Sequence, residues 1–223
     1  MMDLLVATRS GHKLREIRSI LAGVSGLRVL DLNDADIPEA PEEEGIEAFD
    51  TFEANAAAKA HHFARISGLV TVSDDSGLVV DALGGRPGVH SKRFAESSNP
   101  SSLVGEDRDR ANTEHLLSLL GDLPLGERTA RYVCVAVLVE PSSDQDWREA
   151  SFRGEAEGLI LGRPRGWGGF GYDPVFYDSA LGKTFAEIRE REKSARSHRG
   201  KAFRALGEYL VAGGLTRSNE EEG

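Results

Sequence analysis

The chain has 223 residues, 39% of them hydrophobic and 29% charged, enough for one well-buried core. Its formal net charge of -10 weighs against a general nucleic-acid or membrane-surface binder, because polyanions are repelled unless basic side chains cluster. The single cysteine, Cys134, excludes an intrachain disulfide and reads as a core thiol suited to a reducing cytoplasm. Neither a signal-peptide pattern at the N-terminus nor a run of about 18 apolar residues is present, so a cytoplasmic protein without a membrane span is expected.

"DLLVA" (3 to 7) predicts a strand, broken by "TRSG", after which Leu14, Ile17, Ile20 and Leu21 recur at helical spacing. "LRVLDL" (27 to 32) predicts a second strand, and 33 to 50, with prolines and the block "PEEEG", a surface loop. Thr51 opens the alanine-rich "TFEANAAAKAHHFARISG", a helix of about four turns closed by Gly68. "LVTVS" then predicts a strand that delivers Asp74 and Asp75 at its end. Beyond two glycine-rich turns, 111 to 120 is helical, and "TARYVCVAVLVE" and "WREASFRGEAEGLIL" resemble the two long strands of a hairpin. "GRPRGWGGFGYDPVF" is a loop, a last helix runs from about Ser194 to Ala212, and "TRSNEEEG" reads as a frayed tail. This gives one domain over 1 to 215 and a disordered tail over 216 to 223.

Four stretches carry residue types that suit chemistry. "ATRSGHK" (7 to 13) is a strand-to-helix turn whose backbone N-H groups and Lys13 suit a phosphate. Its plainer reading is Ser10 as an N-cap with Lys13 a solvated first-turn residue. In "DDSG", strand alternation lets only one of the two aspartates face a ligand, and the same four residues also suit a simple turn. "GWGGFGYDPVF" interleaves Trp167, Phe170 and Tyr172, planar faces for a base, with glycines that let a ligand approach the main chain. "EKSARSHRGKAF" gathers Lys193, Arg196, His198, Arg199 and Lys201, either a solvated helix face or a clamp for phosphate and base edges. Together they describe one ligand, a nucleotide with Mg2+.

On these motifs the chain resembles the inosine/xanthosine triphosphate pyrophosphatase family over about Leu4 to Leu210, with "ATRSGHK", "TFEANAAAKA", "DDSGLVVDALGGRPGVHSKRFA", "GGFGYDPVF" and "EKSARSHRGKA" in family order. The resemblance implies an α/β fold, an elongated mixed β-sheet flanked by helices, with an active-site cleft between two lobes, in a homodimer. It implies that Thr8, Arg9, Ser10, Gly11, His12 and Lys13 form the triphosphate-side loop. Asp75 would be the catalytic residue, a Mg2+ ligand and proton acceptor, with Ser76 touching substrate. Phe170, Gly171, Tyr172 and Asp173 would wall the base pocket, and Lys193, His198 and Arg199 would complete recognition of base and phosphates. A glutamate of the acidic loop would be the second metal ligand, assigned to Glu42 ahead of Glu43 or Glu44. Ser10 stands where the family typically has asparagine, and His90-Ser91-Lys92-Arg93 where it commonly has Tyr-Ser-Ala-Arg.

The implied activity is Mg2+-dependent hydrolysis of ITP, dITP or XTP to the monophosphate and pyrophosphate, with no nucleic-acid or membrane partner. The absence of a Ser or Cys nucleophile triad suits a reaction that needs positioning and charge stabilisation more than covalent catalysis. Two other readings stay open at this stage. One is a Maf-type pyrophosphatase acting on dTTP or UTP; the other is a nucleotide-binding regulator without turnover.

Overall fold

The computed structural model describes residues 1–97, 103–141 and 147–214; the tail expected to fray over 216 to 223 lies outside them. Strand β1 (Met2–Val6) leads through a short turn into helix α1 (Gly11–Leu21), and β2 (Leu27–Leu30) follows. The loop after it contains a 3-10 turn at Pro41–Gly45. Helix α2 (Phe52–Ser67) begins where the Thr51 hydroxyl accepts the Ala54 N-H at 3.1 Å and ends at Gly68, left-handed with φ 68°. Both ends lie where the sequence places them.

Strand β3 (Thr71–Val80) departs from expectation: Asp74 and Asp75 stand in mid-strand, and "DDSG" is neither a turn nor a strand end. Leu78, Val79 and Val80 resume the apolar pattern and carry the extended backbone through four residues that seldom favour it. The aspartates nevertheless lie beyond the carboxyl end of β1. The β1–β3 register stops at Val6↔Val72, and the Ala7 N-H closes it on the Val72 carbonyl at 2.8 Å.

Helix α3 spans Gly105–Leu120, starting well before 111, because Glu106 and Asp107 favour its first turn electrostatically although no apolar periodicity marks it. Strands β4 (Thr129–Glu140) and β5 (Arg148–Ile160) match the two long strands and are neighbours in the sheet. The short β6 (Phe176–Asp178) and β7 (Lys183–Thr184) escaped the sequence reading. The predicted last helix is two, α4 (Glu190–Arg196) and α5 (His198–Val211), separated by Ser197 in an extended conformation. No helix among the described residues is long and apolar enough to cross a membrane.

The sheet is mixed, in the order β2-β1-β3-β4-β5-β6-β7. Strand β1 is parallel to β2 and β3, and β6 is antiparallel to β5 and β7. The chain divides into two compact units. The first is built from described residues of Met1–Asp75, Cys134–Gly154 and Arg199–Gly223, the second from Ser76–Val133 and Glu155–His198. Within the first, alternation along β1 sends Leu4 and Val6 against Ile17 and Leu21 of α1 and Phe203 of α5, while Leu5 and Ala7 meet Leu32 and Phe63. Within the second, Leu78 and Val80 of β3 pack with Tyr132, Phe176 and Phe185.

Candidate active site

In the first unit the β1–α1 turn has the geometry of an anion site. Ser10 is the N-cap: its side chain accepts the Lys13 N-H at 3.4 Å, and its own N-H donates to the Thr8 hydroxyl at 3.2 Å. No acidic residue occupies the first turn of α1, so the partial positive charge of the helix start stands unopposed there. Gly11 and His12 open the helix on its exposed side, and the Arg15 guanidinium lies 2.8 Å from the His12 Nδ1. Arg9 turns away to the acidic loop. It donates to the carbonyls of Ile37 and Pro38 at 3.0 and 2.9 Å and to Glu43 at 3.0 and 2.6 Å. Its guanidinium braces that loop, so any part it takes in phosphate binding falls to its backbone.

Lys13 is not the solvated residue that its position suggests. Its ammonium lies 3.0 Å from Oδ2 of Asp74, a carboxylate only 1% exposed. Arg199, at the start of α5, donates to the same oxygen at 3.3 Å and to Glu16 of α1 at 2.5 Å, and its side chain is almost fully buried. Burial opposes the charge on Asp74, but Lys13, Arg199 and Lys59 outweigh it and hold the carboxyl well below its usual range. Burial likewise opposes the charge on Lys13, and Asp74 outweighs it and raises the ammonium's pKa. Asp74 is thus the anchor of a buried charge network, and Arg199, expected to clamp substrate, is a member of that network.

Asp75 points the other way and remains 8% exposed. Asn55 of α2 donates to its Oδ2 at 3.0 Å, while Asn55 itself is held through both its amide atoms by the backbone of Phe49. Burial raises the pKa of Asp75; Lys13 and Lys59 pull it down, and Glu47 adds to the rise. Lys59, one turn beyond Asn55 on α2, donates to the Asp74 carbonyl at 2.8 Å and is paired with Glu47. The acidic-loop residue that acts on Asp75 is therefore Glu47. Glu42, assigned from the sequence, is exposed on the 3-10 turn, and Glu43 is taken by Arg9. Ser76 follows Asp75 on β3, half-buried.

The second unit holds the aromatic and cationic residues. Asp173 accepts two bonds on one oxygen, from the Phe170 N-H at 2.9 Å and from the Lys193 ammonium at 2.6 Å. Lys193 is buried, not solvated, and lies 4.9 Å from the centre of the Phe170 ring. Gly169 is required here: at φ 74°, a Cβ would stand 2.0 Å from the Asp173 carboxylate. Gly171 is also left-handed, at φ 61°. Of the three aromatics expected to offer faces, Phe170 is half-buried and Trp167 fully exposed. Tyr172 belongs to the core, its hydroxyl donating to the Ser91 carbonyl at 2.8 Å.

His198 is buried and stacks on Tyr132 of β4, ring centres 4.6 Å apart at 11°. Burial holds the Tyr132 phenol protonated far above its ordinary range, and Asp173, to which it is hydrogen-bonded, adds to the effect. Tyr132, Asn55, Lys59 and Glu47 were missed as site residues by sequence reasoning. Asn55 and Lys59, four apart on a helix read only for its alanines, present one polar face to β3, and that spacing was the available signal.

The Ham1 family model matches residues 4–209. The chain is 46% identical over 209 residues to a dITP/XTP pyrophosphatase of Symbiobacterium thermophilum, covering 94% of this chain and 95% of the relative. It is 46% identical over 210 residues to one of Geobacter sulfurreducens, covering 94% and 97%. Among solved structures, a HAM1 protein from Coxiella burnetii superposes with a TM-score of 0.79 at 32% identity, covering 95% of this chain and all of that one. A nucleoside-triphosphatase, dITP/XTP pyrophosphatase, from Mycobacterium abscessus superposes at 0.68 with 40% identity, covering 92% and 97%.

Proposed function

The chain belongs to the Ham1 family, and from that premise we propose that it is a nucleoside triphosphate pyrophosphohydrolase acting on ITP, dITP and XTP. Its products are the nucleoside monophosphate and pyrophosphate. The observation that carries this reading is the pairing of a helix start suited to an anion with Asp75, a carboxylate that keeps 8% of its surface exposed beside two lysines and a glutamate. A phosphate chain at the turn meets cationic side chains, and a base stands ready for the attacking water.

The first unit supplies the phosphate chemistry. The backbone N-H groups of Gly11 and His12 and the Lys13 ammonium bind phosphate oxygens, with Asp74 holding Lys13 in place. Asp75, whose burial raises its proton affinity, takes the proton of the attacking water. The water oxygen bonds to the α-phosphorus, the bond to the bridging oxygen breaks, and pyrophosphate departs with that oxygen. No group of three or more His, Cys, Asp or Glu side chains suited to a metal occurs among the described residues. Two hard carboxylates in mutual repulsion, Asp75 and Glu47, nevertheless fit Mg2+, which commonly takes one or two carboxylates and completes its shell with phosphates and water. Bound there, the ion would neutralise phosphate charge.

The second unit supplies base recognition. Phe170 offers a ring, and Lys193 and His198 offer donors suited to a 6-keto purine, which adenine lacks. Guanine shares that keto group, so its 2-amino group must be refused separately. A homodimer and a cytoplasmic location belong to the same reading. The test is a panel of ITP, dITP, XTP, GTP, dTTP and UTP with Mg2+, reading pyrophosphate. Release from the first three supports the proposal; release confined to dTTP and UTP, or ITP binding without release, overturns it.

A further inference from the structure

Helix α3 carries two polar side chains three residues apart, Asp109 and Asn112, and both reach segments distant in sequence. Asp109 Oδ2 accepts the N-H of Gly171 at 2.7 Å. Asn112 donates to the carbonyls of Ser91 and Lys92 at 3.4 and 3.1 Å and accepts the Ala95 N-H at 2.8 Å. The Ser91 carbonyl is also the acceptor for the Tyr172 hydroxyl. One helix face therefore fixes Tyr172 from both sides, at the amide before it and at the far end of its ring.

Gly171 is left-handed, a conformation that glycine adopts without steric cost and that its lack of a side chain leaves to hydrogen bonding to fix. Asp173 holds the amide of Phe170, and Asp109 holds the next one. Asp109 is half-buried, so its bond to the Gly171 amide is a charge-assisted one in partly dry surroundings. We propose that Asp109 is a positioning residue for base recognition. By pinning the Gly171 amide it sets the orientation of the Phe170 ring and its peptide, and so the affinity for 6-keto purines and the refusal of guanine. This rests on the proposed activity.

The loss of a hydrogen bond to a charged acceptor corresponds to roughly ten- to hundredfold in an equilibrium constant. Asp109→Ala is therefore expected to raise the KM for ITP about tenfold or more and to lower the ITP-to-GTP ratio of kcat/KM, with kcat within about twofold. Asp109→Asn keeps an acceptor and is expected to recover most of both. Calorimetric titration with IMP in metal-free buffer should show the same order of affinities, and thermal melting of all three proteins checks folding. Asp109→Ala with the wild-type KM and ratio overturns the role. So does a loss of kcat in both variants that follows their melting temperatures. A wild-type protein that releases no pyrophosphate from ITP overturns the activity and this inference with it.

Discussion

Replacing Arg199 with methionine separates a structural arginine from a substrate-binding one. The guanidinium is buried between Asp74, 3.3 Å away, and Glu16, 2.5 Å away. Methionine restores the packing volume but takes the Arg199 cation away from both Glu16 and Asp74, the latter keeping Lys13 and Lys59. Removing one partner of a buried ion pair costs about 3–5 kcal/mol, because the remaining charge stays desolvated. In a chain of this size each kcal/mol lowers the melting temperature by about 2–4 °C, so a fall of roughly 6–20 °C is expected. Differential scanning calorimetry at neutral pH measures it. Arg199→Met combined with Glu16→Gln should recover part of the loss, since the second change removes the charge that the Arg199 guanidinium had faced. A melting temperature within about 2 °C of wild type, together with collapse of kcat/KM, would refute the reasoning and return Arg199 to the substrate.

Other positions give sharp expectations. Gly169→Ala places a Cβ 2.0 Å from the Asp173 carboxylate at φ 74°; the left-handed backbone alone costs about 1–2 kcal/mol, and displacement of Asp173 and Lys193 should raise the KM for ITP as well. Glu47→Gln should raise the Mg2+ concentration needed for half-maximal rate at least severalfold while Glu42→Gln stays near wild type, and the reverse order would restore the assignment to Glu42. Asp75→Asn should be more heat-stable than wild type in metal-free buffer. Burial raises the folded pKa of Asp75, so the native state keeps its proton to higher pH and ionisation costs stability as pH rises through that raised value. The gain in melting temperature should therefore grow with pH above the ordinary carboxyl range of about 4, and a gain independent of pH would contradict it.

Much of this fold can be read in the residues. Thr51 and Gly68 bound α2 because a hydroxyl cap and a left-handed glycine leave local marks, and Ser10 caps α1 for the same reason. Long-range pairing leaves no such mark. The strand runs on through "DDSG" because it is held by its neighbours and by Lys13 and Arg199 beneath Asp74, partners far away in the chain. Lys13, Lys193 and Arg199 look like solvated charges in the sequence, yet Lys193 and Arg199 are buried and Lys13 half-buried, each facing a carboxylate supplied from elsewhere. Glu47 and Asp109 sit in acidic stretches whose composition reads as surface. Only the folded chain shows that one acts on Asp75 and the other holds Gly171. Tyr132 hides within an apolar run, where the one clue was a buried hydroxyl in need of a partner.

The most direct measurement is pyrophosphate release from ITP by the wild-type protein and by Asp75→Asn, side by side in excess Mg2+. Rapid release by the wild type and a loss of about a thousandfold or more in the variant, with folding intact, is the predicted result, the general base and one metal ligand being removed together. Turnover of ITP by Asp75→Asn at the wild-type rate would contradict it.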